Sequence, residues 1–229
     1  MNMKRKTKRR VGIFLVVAML AVMIYPAFST TAEEESAGFI IENGELTAYT
    51  GSGGDITIPD TVTGISDNVF SGNTSLTSVT IPGSVISIGS GAFSGCTNLY
   101  RAVVPASVVN IGNSVFAGCS SLSDLTFSAN VGVIPDMAFY GCASLSSVTI
   151  PGTVTSIGTS AFENCTLLGS VTIPAAVDTI SDTAFAGCSN LSSVEVDGGN
   201  ATYSSYDGCI YNKTCLLYTS DAADDRISV

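Results

Sequence analysis

The hydrophobic residues of this chain recur with a period of 23 residues between Pro59 and Val196. Each of six consecutive periods has a phenylalanine and a leucine at fixed places, and no period contains an insertion or a deletion. A constant unit length is typical of solenoids, in which every repeat forms one coil and stacks on the next. The two columns are Phe70, Phe93, Phe116, Phe139, Phe162 and Phe185, and Leu76, Leu99, Leu122, Leu145, Leu168 and Leu191.

One stretch of each coil alternates as a β-strand does. In the copy at 145–150, Val148 and Ile150 fall on one side. Ser147 and Thr149 fall on the other side, because successive side chains of a strand point to opposite faces. A proline opens five of the six coils, directly after the strand of the coil before, and it ends the hydrogen-bonding ladder because it has no N–H. The pattern predicts one strand per coil and hence a parallel sheet along one face.

Two polar columns predict a short helical turn on the opposite face of each coil. The first holds residues that favour a helix N-cap, and the second holds residues that tolerate the left-handed conformation after a helix. The carboxylates of the first column are therefore interpreted as caps and not as catalytic groups. The expected fold class is an α/β repeat solenoid, a leucine-rich-repeat arc with a parallel β-sheet on one face and short helical turns on the other. The columns are Asp67, Ser90, Asn113, Asp136, Thr159 and Asp182, then Gly72, Gly95, Gly118, Gly141, Asn164 and Gly187.

Five cysteines form a further column between the glycine and the leucine of the coil. Small buried thiols are the favoured interpretation, because each cysteine points inward and stacks on its equivalent in the next coil. Disulfides are the alternative that an exported chain permits. A metal site is disfavoured, because a linear stack is not a tetrahedral cluster. The column consists of Cys96, Cys119, Cys142, Cys165 and Cys188.

The flanks of the repeats predict export. Residues 1–10 carry six cations, and an uninterrupted apolar run follows at 11–25. This is the plan of a secretory signal peptide, and an uncleaved anchor is the alternative. The last residues resemble translated sequencing adapter more than a native acidic tail, which would make the chain a fragment. The expected organisation is a signal peptide at 1–32, an N-terminal cap or half coil at 33–58, six repeats at 59–196, a C-terminal hairpin at 197–214 and a non-native tail at 215–229.

The composition excludes several function classes. The net charge is −10, and after residue 10 only three cations stand against all 19 carboxylates. Nucleic acid is therefore not an expected partner, because its binding requires clustered Lys and Arg. The chain has no histidine, and its hydroxyl groups have no visible base. No enzyme activity, cofactor or metal is expected.

The outward strand positions form the candidate binding face. Arg101 and Asp124 are 23 residues apart and should lie side by side. Two interpretations of this pair stay open, a solvated pair of little energetic weight and a local anchor for a ligand. The candidate positions are Ser78, Thr80, Arg101, Val103, Asp124, Thr126, Ser147, Thr149, Ser170, Thr172, Ser193 and Glu195.

The repeat resembles a known family. The string IPGSVISIGSGAFSGCTNLYRAVVP at 81–105 is similar to the BspA-like leucine-rich repeat, and the resemblance covers 59–196. It implies a secreted or cell-surface protein of bacteria or some protozoa. It also implies adhesion to a protein or glycan ligand on a host or neighbouring cell, with membrane contact only during export. The alternative function is a passive spacer that presents another domain.

Overall fold

The computed structural model describes residues 38–213. The predicted signal peptide at 1–32, Cys215 and the predicted non-native tail at 215–229 lie outside the described residues. The described elements are all strands: β1 (Phe39–Glu42), β2 (Glu45–Tyr49), β3 (Gly54–Thr57), β4 (Gly64–Ile65), β5 (Leu76–Thr80), β6 (Ser87–Ile88), β7 (Arg101–Val104), β8 (Asn110–Ile111), β9 (Asp124–Phe127), β10 (Val133–Ile134), β11 (Ser156–Ile157), β12 (Ser170–Ile173), β13 (Thr179–Ile180), β14 (Ser193–Val196), β15 (Tyr203–Tyr206) and β16 (Cys209–Asn212).

The first sheet is built by the strands that the alternating pattern predicts, with one further strand, β3, at its N-terminal edge. β3, β5, β7 and β9 form a parallel four-stranded sheet, and β12 and β14 form a parallel pair. The alternation is confirmed in β12, where Val171 and Ile173 are buried and the residue before each is exposed. The fourth coil has no described strand at this position, and Ser147 makes only an isolated bridge to Ser170. The parallel solenoid is therefore confirmed, with one interruption along the first sheet.

A second parallel sheet was not predicted. It is formed by two-residue strands around the isoleucine that precedes the turn of each coil, such as Ile88 and Ile111. β4, β6 and β8 continue in parallel from the longer strand β2, on which β1 pairs antiparallel, and β10, β11 and β13 form the other part. The buried aliphatic and phenylalanine side chains of the coils form one continuous core. A strand of two residues is too short to show the alternation from which the first sheet was inferred.

The predicted helical turns are wrong, because the described coils contain consecutive turns and no helix in their place. In the first coil, the N–H of Phe70 donates to Ala92 O of the next coil at 2.8 Å. A helix would direct that N–H to a carbonyl of its own turn. Only three residues separate Asn68 and Gly72, whose φ angles are 59° and 71°. This span is too short for a helical segment, so the backbone bonds run between coils.

The polar columns keep their conformation but not their predicted role. Each residue of the glycine and asparagine column has a positive φ, including Asn164 at 61°, so the left-handed position is confirmed. The carboxylates of the other column do not cap a helix. Asp67 Oδ1 accepts from the N–H of Ser90 at 2.6 Å. Asp136 Oδ1 accepts from Thr159 N at 2.7 Å, so these side chains join one coil to the next.

The six phenylalanine rings stack along the core. Neighbouring centroids lie 5.0–5.7 Å apart, with interplanar angles of 3–12°. Tyr49 and Phe39 extend the stack at the N-terminal end with tilted rings. Offset stacking of this kind adds about 1 kcal/mol per pair to the gain from burial. The stacked rings therefore favour a similar distance between each pair of neighbouring coils.

The stack is widest where both sheets are interrupted. The 5.7 Å separation joins Phe116 in the third coil to Phe139 in the fourth. Phe127 stands where the other coils have isoleucine or valine, and its ring meets Phe139 edge-on at 5.6 Å. Ser128 replaces proline and donates its N–H to Val104 O at 2.9 Å. The break in the sheets therefore coincides with a larger core side chain at the junction.

A hairpin follows the last coil. β15 and β16 pair antiparallel around Asp207 and Gly208, whose φ angles of 50° and 74° are those of a tight hairpin turn. Side chains of the hairpin and of the segment before it bond to the last coil. Tyr203 OH accepts from Ile180 N and Ser205 Oγ accepts from Val196 N, both at 3.1 Å. Asn200 donates to two carbonyls of that coil. These side chains therefore bond to backbone groups of the last coil that have no following coil to bond to.

Candidate functional site

The structure places the candidate binding residues in two groups along what we call the strand face, the outward side of the first sheet. In the first group, Arg101 pairs in register with Ser78 and Asp124. In the second, Thr172 pairs with Glu195. Ser147 reaches the second group by its bridge, and Thr149 belongs to no described strand. The first group is Ser78, Thr80, Arg101, Val103, Asp124 and Thr126; the second is Ser170, Thr172, Ser193 and Glu195.

The strand face begins one coil earlier than the sequence analysis placed it. Asp55 pairs with Ser78, and Thr57 pairs with Thr80, in parallel register. The signal was present, because Asp-Ile-Thr-Ile-Pro at 55–59 stands 23 residues before Ser-Val-Thr-Ile-Pro at 78–82. The expected half coil therefore contributes a full strand, and a carboxylate, to the face.

Arg101 and Asp124 form a loose, exposed ion pair. Arg101 Nε lies 3.5 Å from Asp124 Oδ2, and the two side chains are 52% and 57% exposed. A strong charge-assisted hydrogen bond would be about 2.8 Å long. A pair of this kind contributes about 0.5 kcal/mol to stability, so it is not what holds the sheet together. Both groups remain accessible to a ligand.

Tyr100 is an exposed aromatic residue directly before β7 that the sequence analysis missed. Its side chain is 45% exposed. Its N–H donates to Thr77 O, and its carbonyl accepts from the N–H groups of Ser123 and Asp124 at 3.0 and 2.9 Å. In the neighbouring coils this column holds Thr77 and Ser123, so the periodic pattern gave no signal. The backbone of Tyr100 is therefore fixed on both sides by the first sheet.

A carboxylate lies on each side of this aromatic residue. Thr77 Oγ1 donates to Asp55 Oδ1 at 2.8 Å, two strands before β7. Asp124 lies in β9, one strand after it. Adjacent strands are about 4.8 Å apart, so the two acidic side chains belong to strands about 14 Å apart. The centre of the first group thus combines an aromatic ring with charges of both signs.

The cysteine column is buried and unbridged, as predicted. The five thiols are free and buried. Each Sγ donates to a phenylalanine carbonyl of the preceding coil, as Cys96 does to Phe70 O at 3.0 Å. Burial raises the pKa of Cys96 to about 11 and that of Cys165 to about 12. A thiol with so high a pKa is a poor nucleophile at neutral pH, so these groups serve packing.

One described cleft has its carboxylates already engaged. It has a volume of about 500 Å³ and lies beside β2, β4 and β6. Glu45 Oε1 accepts from Ser66 Oγ at 2.9 Å, and Asp67 is bonded to the next coil. Across residues 38–213, no three Cys, Asp or Glu side chains come together as a metal site. Nor does that range hold a long apolar helix of the kind that crosses a bilayer.

The chain is similar to known repeat proteins in sequence and in structure. The family model described as the BspA type leucine-rich repeat region matches in six copies, over residues 47–168 and 111–219. A leucine-rich repeat protein of T. pallidum is 35% identical, with a TM-score of 0.63. A leucine-rich cell surface protein of Faecalibacterium prausnitzii A2-165 is 32% identical, with a TM-score of 0.61. A leucine-rich repeat protein of Eubacterium ventriosum is 32% identical, with a TM-score of 0.64.

These structures differ in how much of their length the chain accounts for. The matches cover 66%, 79% and 69% of this chain, in the same order. They cover 72% of the T. pallidum protein, but only 57% and 44% of the other two. No curated protein sequence matches the chain significantly.

Proposed function

The chain belongs to the family of proteins with BspA-type leucine-rich repeats, and from this premise we propose that it is exported and binds a protein partner outside the cell through its strand face. The basic and apolar start of the sequence supports export. The description of the F. prausnitzii relative as a cell surface protein supports the same location. Adhesion to a host or neighbouring cell is the role that such binding would serve.

The observation that carries the proposal is the composition of the strand face. Its side chains are mostly serine and threonine, and the inward neighbours in the same strands pack in the core. Short side chains on a sheet lose little conformational entropy when a partner binds, and they allow the partner to approach closely. The face therefore offers contact area to a partner. Its hydroxyl groups have no structural role inside the protein.

Binding to immobilised extracellular-matrix proteins, measured by biolayer interferometry, tests the proposal. Thr172→Gln places a longer neutral side chain on the strand face, and Thr179→Gln makes the same change on the second sheet; both threonines are exposed. We expect Thr172→Gln to weaken binding about tenfold and Thr179→Gln to leave it within about twofold. Equal losses, or no binding by the unaltered protein to any member of the panel, would contradict the proposal.

A further inference from the structure

The described part of the chain has a strongly one-sided charge. Residues 38–213 contain thirteen carboxylates and two cations, a net charge of −11. Both cations are engaged: Arg101 pairs with Asp124, and Lys213 Nζ donates to Asn200 O at 2.6 Å. A field of this sign repels acidic surfaces and accelerates the approach of basic ones. Charge complementarity therefore favours a basic partner.

Charge alone does not locate the binding site of the partner, because carboxylates occur on every side of the coils. The strand face adds an aromatic residue to them. Tyr100 is the one large exposed apolar side chain that the described structure places directly next to a strand of the first sheet. An exposed tyrosine ring attracts an ammonium or guanidinium group through its π face. Tyrosine beside charged groups near the middle of a contact surface is also typical of an energetic hot spot.

The order of charges across the strands defines what a partner must present. Asp55, Ser78, Arg101 and Asp124 occupy equivalent positions of β3, β5, β7 and β9. The strands thus carry a negative, a neutral, a positive and a negative side chain at steps of about 4.8 Å. A cation near Tyr100 is attracted by the outer two carboxylates and repelled by Arg101.

We infer that Asp55, Tyr100 and Asp124 form the binding centre for a basic protein segment, whose Lys or Arg side chains contact the ring and both carboxylates. The inference rests on the proposed function, because it names the partner of the same strand face. Arg101 limits this contact and selects among basic partners by repelling a cation placed directly over β7. The loose, exposed Arg101–Asp124 pair leaves the Asp124 carboxylate available.

Fluorescence anisotropy with a labelled oligolysine peptide tests the inference, with an oligoglutamate peptide of the same length as its counterpart. Asp55→Asn and Asp178→Asn remove the same charge from exposed positions, but only Asp55 lies on the strand face. Tyr206→Ala is the matched control for Tyr100→Ala, because Tyr206 is an exposed tyrosine on the hairpin.

We expect Asp55→Asn and Tyr100→Ala each to weaken lysine-peptide binding about fivefold, the scale of one close surface contact. The two controls should stay within about twofold, and Arg101→Gln should tighten binding. Binding should also weaken as salt rises from about 50 to about 150 mM.

Three results would overturn the inference: equal losses from Asp55→Asn and Asp178→Asn, no binding of the lysine peptide, or equal binding of the glutamate peptide. Each of these can occur while the strand face still binds a matrix protein in the Thr172→Gln experiment. Failure of the inference is therefore distinguishable from failure of the proposed function.

Discussion

Asn200 connects the C-terminal hairpin to the repeats, and its replacement should loosen that end of the molecule. The side chain is 2% exposed and uses its full hydrogen-bonding capacity. Nδ2 donates to Pro174 O at 2.9 Å and to Val177 O at 2.8 Å. Oδ1 accepts from the N–H groups of Thr202 at 2.9 Å and Tyr203 at 2.7 Å.

The magnitude follows from the groups that Asn200→Ala would leave without a partner. The bonds to Val177 O and from Tyr203 N are buried, and an unsatisfied buried backbone group costs about 1–3 kcal/mol. The other two bonds are partly buried, so water replaces them at little cost. We therefore expect a loss of about 3 kcal/mol in the free energy of unfolding.

Asn200→Asp keeps the acceptor oxygen of the side chain but replaces its N–H donors with a second oxygen. The carboxylate keeps the bonds from Thr202 and Tyr203 but faces two carbonyl oxygens where Nδ2 donated. Burial and these carbonyls raise the folded pKa of the introduced carboxyl above its unfolded value. The destabilisation is then largest at neutral pH and is relieved as the pH falls through the folded pKa. At pH 7 we expect a loss of at least about 3 kcal/mol.

Urea denaturation followed by circular dichroism measures both losses. Asn190→Ala is the control, because Asn190 is exposed in the last coil, to which Asn200 bonds, and it should change stability by less than about 0.5 kcal/mol. A loss below about 1 kcal/mol for Asn200→Ala would refute the reasoning. So would an Asn200→Asp variant whose loss does not shrink between pH 7 and pH 4.

The remaining predictions concern thiols and backbone strain. At about pH 8, a thiol reagent should modify half-exposed Cys209 but not the five buried cysteines until the protein is unfolded; rapid labelling of the column in folded protein would contradict the burial. Gly118→Ala should cost about 1–2 kcal/mol by thermal denaturation, because φ is 73° there although the added Cβ has space. Gly152→Ala, in open space without a positive φ, should cost less than about 0.5 kcal/mol.

The features that the sequence predicted are those repeated with the period of the coil. The repeat unit located β5, β7, β9, β12 and β14, and alternation separated inward Val171 and Ile173 from outward Ser170 and Thr172. Burial of the cysteine column followed from its place between a turn and a core leucine. In each case a side-chain pattern and a tertiary position have the same physical cause, burial on one side of the coil.

The errors arose where one residue type fits two backbone structures. Asp, Ser and Asn before the turn, with Gly after it, are as suitable for a left-handed turn bonded between coils as for a capped helix. The carbonyls of the next coil decided the outcome, as the bond from Phe70 N to Ala92 O shows, and no local pattern reports them. The widened junction likewise depends on Phe127 meeting Phe139, a contact between two coils.

The sequence located the strand face, but it did not single out two residues of the inferred binding centre, Asp55 and Tyr100. Alternation identified the outward positions from Ser78 to Glu195, because it depends only on the strand. Asp55 was missed because the first strand was taken for half a coil. Tyr100 was missed because the equivalent positions in the neighbouring coils hold small residues. The repeat pattern therefore gave no reason to consider this position. Whether these residues bind a partner stays a proposal that the experiments above decide.

The contacts between coils have a consequence for how such a protein can change in length. The cysteine thiols bond to phenylalanine carbonyls of the coil before, and the phenylalanine N–H groups of the first five coils bond to carbonyls of the coil after. A duplication or loss of one whole repeat unit in the gene therefore brings together coils that already complement each other. A change that is longer or shorter by a single residue would instead leave one coil out of register with its two neighbours, so the bonds between coils would be disrupted at that place. The array can thus evolve by whole coils while each intermediate remains foldable.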